Sequence, residues 1–319
     1  MSSNPWRYVY PQDTEIVLRE VEINTGKNSP DVVIAQITDP HFNWCNEKDL
    51  NENDPVVMST WENRRWLRLH DGGTGRAVRN ATACLDYVKD ADQIIVTGDA
   101  LDYLSWGGIE ILQKVIWDEY PDAIITLGNH DAVRKMQGTV DDPTTFESRL
   151  EILKSVWKHD IFYTSKVMGD KVMIIQLDNG SQGGFGGFWD CQVEPLRNDL
   201  NTAREKGYAV LLFYHIPLAT QNPDGKPTES SLVGDKGNSV VNFCALGVGS
   251  HRDGASGEIY KLITNNGDII KGAFCGHKHC DFYTEIAAKT SDGADTVIPQ
   301  YILIGSPYGS GHVLRITVK

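Results

Sequence analysis

The sequence lacks several features that define common functional classes. It has no run of about 18 apolar residues, the length that a membrane helix requires, so we expect no membrane span. It has no excess of basic residues, because 30 Lys and Arg stand against 43 Asp and Glu and the net charge is −13. Nucleic-acid duplexes and anionic membranes attract clustered positive charge, so neither is an expected partner.

Cysteine pairs with metal-binding or redox spacing are also missing. The six cysteines are scattered and form no CxxC motif, which in a chain of 319 residues predicts reduced thiols rather than a disulfide framework. The first residues show no basic segment followed by an apolar one, so no secretory signal is indicated. We expect a cytoplasmic protein, although an exported protein whose leader has been removed would look the same. The sequence defines no oligomeric state.

Short apolar runs that end in polar residues recur along the chain. They are rich in Val and Ile and apolar on both parities, which is typical of strands buried on both faces. The runs are Val32–His41, Gln93–Asp99, Ala123–Asp131, Lys171–Asn179, Ala209–His215 and Ile269–His279. Helical patterns lie between several of them, at Thr74–Asp90, Ile109–Tyr120, Phe146–Trp157 and Gln192–Lys206. This alternation predicts an α/β (α+β) fold.

No linker, repeat or low-complexity tract divides the chain, so we interpret residues 1–319 as a single domain. The alternating stretch Thr14–Ile23 is typical of a half-exposed edge strand, which places an N-terminal arm and edge strand within residues 1–30. Two further stretches, Gln300–Ile304 and Gly311–Val318, are predicted to be closing strands.

Three long connecting segments are predicted to be loops at the rim of the site, namely residues 42–73, 180–190 and 217–256. The glycine-rich segment 180–190 is not followed by the GKS or GKT of a phosphate-binding P-loop.

Nearly every predicted strand ends in Asp, Asn or His. The residues concerned are Asp39, His41, Asp99, Asn129, His130, Asp131, His215, His277 and His279. Ligands of open α/β sheets bind beyond the carboxyl ends of the strands, so we expect these side chains to meet. Imidazoles, carboxylates and one amide oxygen suit Zn, Mn or Fe, and the set is too rich in nitrogen for Ca.

Two pairs in this set are spaced by two residues: Asp39 with His41, and His277 with His279. On an extended segment such side chains point the same way, so each pair could converge on one ion. The set holds more ligands than one ion needs, and it divides between two ions if one carboxylate bridges them. A compact zinc knuckle within FCGHKHCDF is the alternative, but it leaves the acidic residues and the asparagine unexplained.

The order of these motifs, DPH, GD, GNHD, a lone His after an apolar strand, and GHKH, resembles that of the calcineurin-like metallophosphoesterase superfamily. The resemblance implies a four-layer αββα fold in which two mixed β-sheets are flanked by helices. It also implies a dinuclear centre, with Asp39, His41 and His279 on one ion, Asn129, His215 and His277 on the other, and Asp99 bridging them.

Two segments also resemble one branch of this superfamily. FYHIPL around His215 and IIKGAFCGHKHCDF are similar to the fungal and plant purple-acid-phosphatase-like proteins of the dosage-dependent cell-cycle-regulator type. Purple acid phosphatases proper carry G-D-x-x-Y, whereas Tyr103 follows Asp99 at a spacing one residue longer. His41 already fills the equivalent role, so we do not expect a tyrosinate-bound ferric centre.

The resemblance implies a metal-dependent phosphoric ester hydrolase with two transition-metal ions (Mn, Fe or Zn). A hydroxide that bridges the metals would attack phosphorus in line with the leaving group. His130 would stand beside the leaving oxygen, and Asp131 would orient its imidazole. The expected substrate is a small-molecule phosphate ester or a phosphorylated substrate. Phosphomonoester hydrolysis is favoured, with phosphodiesterase activity, on cyclic nucleotides or other diesters, as the alternative. A non-catalytic scaffold is disfavoured, because no ligand of the set is missing.

Other residues near these motifs receive structural interpretations. Asp102, Asp178 and Asn179 lie near strand ends, where capping and turn roles are expected, and Tyr103 is expected to pack. Arg64 lies in a segment rich in Arg and Trp that could grip a phosphate, but an amphipathic surface helix is the favoured interpretation.

Overall fold

Two β-sheets form the centre of the computed structural model, which describes residues 15–52, 54–67, 75–135, 141–182, 187–218, 220–221, 227–228, 254–306 and 311–319. The strands are β1 (Ile16–Ile23), β2 (Val32–Ile37), β3 (Gln93–Thr97), β4 (Ile124–Thr126), β5 (Tyr163–Met168), β6 (Val172–Leu177), β7 (Ala209–Phe213), β8 (Thr220–Gln221), β9 (Pro227–Thr228), β10 (Ile270–Cys275), β11 (Phe282–Lys289), β12 (Asp295–Ile302) and β13 (Gly311–Val318).

Both large sheets are mixed. The first has the order β1-β13-β2-β3-β4, in which β2, β3 and β4 are parallel and β13 runs antiparallel to β2. The second has the order β11-β12-β10-β7-β6-β5, with a parallel centre and an antiparallel strand at each edge. The central strands are buried along their whole length, as their continuous apolar runs require.

Most of the described α-helices pack on the outer face of one of the sheets. The described α-helices are α1 (Glu47–Glu52), α2 (Pro55–Leu67), α3 (Gly75–Tyr87), α4 (Trp106–Leu112), α5 (Phe146–Val156), α6 (Val193–Lys206) and α7 (Gly254–Thr264). One apolar cluster packs α3, α4 and α5 on the first sheet, another packs α6 and α7 on the second, and a third lies between the sheets. This is the predicted four-layer αββα arrangement, so the prediction of fold class is confirmed.

A buried polar link joins the two sheets just below their carboxyl ends. The side-chain amide of Gln36, on β2, donates to Oγ1 of Thr97 at 2.8 Å within the first sheet. The same amide donates to the carbonyl oxygen of Cys275, on β10 of the second sheet, at 3.0 Å. Buried polar groups need such partners, and this amide finds one in each sheet.

The segment 42–73 is not a loop throughout, because it contains the unpredicted helix α1 and the helix α2, which includes the segment around Arg64 where a helix is favoured by the sequence. Both helices have an N-cap side chain: Oδ1 of Asn46 accepts from the backbone of Lys48, and Oδ1 of Asp54 accepts from that of Val56 at 2.9 Å. Of the other two predicted rim segments, residues 183–186, 219, 222–226 and 229–253 lie outside the described residues.

The core between the sheets supplies a test of the packing. Phe274 is fully buried there, and its ring stacks on Phe213 at 5.1 Å and on Tyr301 at 5.2 Å. We expect Phe274→Ala to lower the free energy of unfolding by about 3–5 kcal/mol, measured by urea denaturation, because the cavity cannot close between two sheets. Tyr283→Ala is the control, since that ring is 49% exposed. Equal losses in both variants would contradict this packing.

Candidate metal centre

The predicted ligands follow the carboxyl ends of strands from both sheets. They are Asp39 and His41 after β2, Asp99 after β3, Asn129 after β4, His215 after β7, and His277 and His279 after β10. Because parallel strands of a sheet end at the same edge, the stacked sheets bring all of these segments to one place. The structure gathers the seven side chains into two overlapping groups.

The first group consists of Asp39, His41, Asp99 and His279. Nε2 of His279 lies 3.2 Å from Oδ1 of Asp39 and 3.3 Å from Nε2 of His41. Nε2 of His41 lies 3.7 Å from Oδ2 of Asp99. The donor atoms of all four residues lie within 4.8 Å of one another, so they can reach a single ion.

The second group consists of Asp99, Asn129, His215 and His277, with Nε2 of His215 at its centre. That nitrogen lies 3.1 Å from Oδ1 of Asn129, 3.3 Å from Oδ2 of Asp99 and 3.3 Å from Nδ1 of His277. Oδ2 of Asp99 therefore faces both groups, while its Oδ1 accepts from the backbone N–H of His130 at 2.8 Å. A carboxylate shared by two ions requires this arrangement.

The spacing of the donor atoms fits metal coordination. Bonds of about 2.0–2.2 Å to one ion place neighbouring oxygen and nitrogen ligands ~3.0–3.4 Å apart. The Nε2 atoms of His41 and His279 lie 3.3 Å apart, yet two neutral imidazoles that face each other through these atoms need a proton or a cation between them. Imidazole, carboxylate and one amide oxygen together suit Mn, Fe or Zn.

The charges in the cluster favour a cation. Burial alone would raise the pKa of Asp39, but His215 and His279 outweigh burial and lower the pKa to about 2. Burial is likewise outweighed at Asp99, whose pKa lies well below its usual range beside His215 and His130. Although burial opposes it, Asp99 and Asp39 together raise the pKa of His215 to about 10. The two ionised carboxylates thus attract positive charge to the point where the groups overlap.

Burial favours the neutral form of two other histidines, His41 and His277. Burial lowers the pKa of His41 to about 4 and brings the pKa of His277 well below its usual range. Nδ1–H of His215 donates to the carbonyl oxygen of Thr97 at 2.8 Å, and this bond directs Nε2 toward the second group. Neutral imidazole is the form that binds a metal ion.

The backbone at the ligands is strained. The described non-glycine residues with positive φ are Asp39, His41, Asp99, Asp170, His277 and His279, and all but Asp170 belong to the predicted ligand set. Such conformations cost of order 1–3 kcal/mol each and gather at functional sites. The expectation that each DxH or HxH pair converges because its segment is extended is therefore wrong. Left-handed turns at the strand ends aim these side chains.

Glycines in the motifs make room for the ligands. A Cβ atom on Gly98 would lie 2.4 Å from Nδ1 of His215, and one on Gly128 would lie 2.2 Å from Oδ1 of Asp99. Each glycine precedes one ligand and packs under another, which explains the GD and GN pairs of the sequence.

Asn179 has a role that the sequence did not reveal. Its side chain is fully buried, and Oδ1 accepts from the backbone N–H groups of His215 and Ile216 at 3.1 and 2.9 Å. Its Nδ2 donates to the carbonyl oxygen of Ile216 at 2.7 Å. The asparagine thus ties the end of β6 to the segment that carries His215, beyond the turn role expected for it.

The expected partnership of His130 with Asp131 is wrong. The carboxylate of Asp131 accepts from the backbone N–H groups of Leu101 and Gly128 at 2.7 and 2.6 Å. Nδ1–H of His130 instead donates to the backbone carbonyl oxygen of Asp102 at 2.8 Å, and the Asp102 carboxylate lies 3.5 Å from the same nitrogen. Asp131 closes the turn, and Asp102 holds the imidazole.

Two further side chains near the metal centre are buried. Arg64 is only 8% exposed and forms an ion pair with the buried Asp102, so it is not a residue of an exposed helix face. Tyr103 is fully buried as expected, and its hydroxyl lies 3.6 Å from Sγ of Cys45.

The chain belongs to the calcineurin-like phosphoesterase family, whose model matches residues 32–281. That range contains every predicted ligand, and it includes the groups of side chains whose donor atoms are close enough to hold a metal ion. The resemblance of the motif order is thereby confirmed at the level of the family.

Solved structures of phosphatases are similar in outline. One is a dimetal phosphatase from Danio rerio, at 12% identity over 87% of this chain and 88% of that one, with a TM-score of 0.46. Another is a purple acid phosphatase from yellow lupin (Lupinus luteus) seeds, at 12% identity over 89% of this chain and 45% of that one, with a TM-score of 0.48. No protein of curated function matches the sequence. Among the described residues, no helix has the length and apolar character needed to cross a membrane.

Gly98 offers a test of the close packing under His215. We expect Gly98→Ala to weaken Mn²⁺ binding, measured by calorimetry on metal-free protein, because the new methyl group must displace the imidazole. The free energy of unfolding, measured in urea, should also fall. Its loss should exceed the cost of backbone strain alone, which is about 1–3 kcal/mol.

Gly293→Ala is the matched control for this test. Gly98 and Gly293 have nearly the same backbone angle, with φ of 83° and 87°, but a Cβ atom on Gly293 would meet nothing within 4 Å. The control should lose stability from strain alone and bind Mn²⁺ as the wild type does. Equal Mn²⁺ affinities in the two variants would contradict the packing described for His215.

Proposed function

We propose that the protein is a phosphatase, a metal-dependent hydrolase of phosphomonoesters, with two transition-metal ions in its site. The observation that carries the proposal is the pair of donor groups that share Oδ2 of Asp99. The first group would hold one ion through Asp39, His41 and His279, and the second would hold the other through Asn129, His215 and His277. When bound, the ions would acidify a water molecule and offset the charge of the phosphoryl group.

The chain's own residues would orient the reaction. Three contacts hold His130. Its backbone N–H donates to Asp99, and its Nδ1–H donates to the carbonyl oxygen of Asp102. Its ring packs edge-on against His41, with the ring centroids 4.8 Å apart. With Nδ1–H directed at a carbonyl, we propose that Nε2 delivers the proton or stabilises charge at the leaving oxygen. Asp131 would act only by shaping the turn that carries this histidine.

A phosphomonoester is the favoured substrate class. It offers three terminal oxygens to the two cations, whereas a diester offers two. Near neutral pH a monoester also carries more negative charge than a diester. A small-molecule phosphate ester or a phosphorylated substrate would satisfy these contacts, and hydrolysis of a diester is the alternative within the same family.

Turnover of chromogenic esters tests this proposal. We expect the protein, assayed with Mn²⁺, Zn²⁺ or Fe²⁺, to hydrolyse an aryl phosphate monoester faster than the bis-aryl diester. Asp99→Asn should lower kcat by on the order of 1000-fold, because the shared carboxylate loses its charge while keeping its shape.

Cys280→Ser is the control, because it changes a side chain next to His279 without removing a member of either donor group. It should keep nearly full activity, whereas a compact Cys/His zinc site would lose its metal. A faster rate on the diester would favour the phosphodiesterase. Absence of turnover with every metal, together with absence of metal binding, would contradict the hydrolase itself.

A further inference from the structure

Asp102 lies close to the imidazole rings of two histidines, His41 and His130. Its side chain is fully buried, and its Oδ1 lies 3.2 Å from Nδ1 of His41 and 3.5 Å from Nδ1 of His130. One oxygen atom thus faces the ring nitrogen of a metal ligand and that of the proposed proton donor. Any rotation of this carboxylate would move both contacts.

Arg64 forms two hydrogen bonds to that carboxylate. Its Nε donates to Oδ2 of Asp102 at 2.9 Å, and its Nη2 donates to Oδ1 at 2.6 Å. This ion pair is bidentate. The planar guanidinium fixes the plane of the carboxylate and compensates its charge. Nδ2 of Asn43 adds a bond to Oδ2 at 3.1 Å, and the whole contact is buried.

The helix that carries Arg64 is itself fastened to the segment after His130. Oγ1 of Thr60, also on α2, donates to the carbonyl oxygen of Arg134 at 2.9 Å. Arg134 in turn pairs with Asp54, the N-cap residue of α2. The guanidinium of Arg64 is therefore presented from a helix whose position is set by the same turn that holds His130.

We propose that Arg64 is a positioning residue of the metal centre. Through Asp102 it orients the imidazole of His41, and so determines how tightly the first donor group binds its ion. The same pair sets the position of His130. This inference rests on the proposed dinuclear function and adds a residue of helix α2 to it.

The effect should be unequal between the two ions. His41 belongs to the first group, whereas the imidazole of His215, at the centre of the second group, is oriented by the carbonyl oxygen of Thr97. The atoms of His41, Asp102 and His130 are also close enough to hold an ion of their own. The guanidinium of Arg64 neutralises that carboxylate, which disfavours a third cation there.

Calorimetric titration of metal-free protein with Mn²⁺ tests the proposal. We expect Arg64→Gln to weaken binding at the first group about 10–100-fold, as loss of a group that orients a ligand typically does, and to leave the second nearly unchanged. Variants His41→Gln and His277→Gln assign the two binding steps, because each removes a ligand of one ion. Arg64→Lys keeps the charge but not the bidentate geometry, so it should recover only part of the Mn²⁺ affinity. This variant also replaces the glutamine variant in the test if the latter does not fold.

Arg149→Gln is the matched control. Arg149 is also a largely buried arginine in an ion pair, with Asp142 at 2.9 Å, and its Nε donates to the carbonyl oxygen of Ala132 near the same turn. It should lose stability and keep both Mn²⁺ affinities. Wild-type affinities in Arg64→Gln, or an equal loss in Arg149→Gln, would overturn the positioning role. Wild-type protein that binds no Mn²⁺ would instead overturn the proposed function on which the inference rests.

Discussion

The burial of ionised carboxylates at converging strand ends is the constraint on which the structure depends. Asp39 and Asp99 are almost fully buried and ionised within one small cluster of imidazoles. Buried charge of one sign is costly unless paired, so the cluster requires positive charge at its centre. Cations held between the two donor groups would supply this charge.

The fold supplies the geometry that this constraint needs. Two stacked sheets end their parallel strands at a common edge, and Gln36 links the sheets just below it. Beyond the edge, left-handed turns at Asp39, His41 and Asp99 aim the side chains inward, and Gly98 lets an imidazole pack against the backbone. The ligands thus have a strained backbone and are closely packed. Ion binding can offset that strain, which couples metal affinity to stability.

Much of this could be predicted from the sequence, and the failures have physical reasons. Apolar runs gave the strand positions because both faces of the central strands are buried, and polar residues at their ends gave the ligands. The short helix α1 was not predicted, because its six residues are too few to show an apolar stripe, although Asn46 caps it. Adjacency along the chain suggested Asp131 as the partner of His130, but the turn directs the two side chains apart.

Contacts between distant segments were beyond a single sequence. Arg64 and Asp102 are separated by 38 residues, and Asn179 and His215 by 36. Nothing in local periodicity records which polar side chain is turned inward at such positions. The contacts of Arg64 and Asn179 are features of this chain that the motif pattern alone does not contain.

Anomalous X-ray diffraction from crystals grown with Mn²⁺ tests the central claim most directly. The account predicts two manganese peaks about 3.5–4 Å apart, with the carboxylate of Asp99 between them. One peak beside His41, Asp39 and His279 and the other beside Asn129, His215 and His277 would match the donor groups. A single peak, or peaks that avoid Asp99, would contradict it.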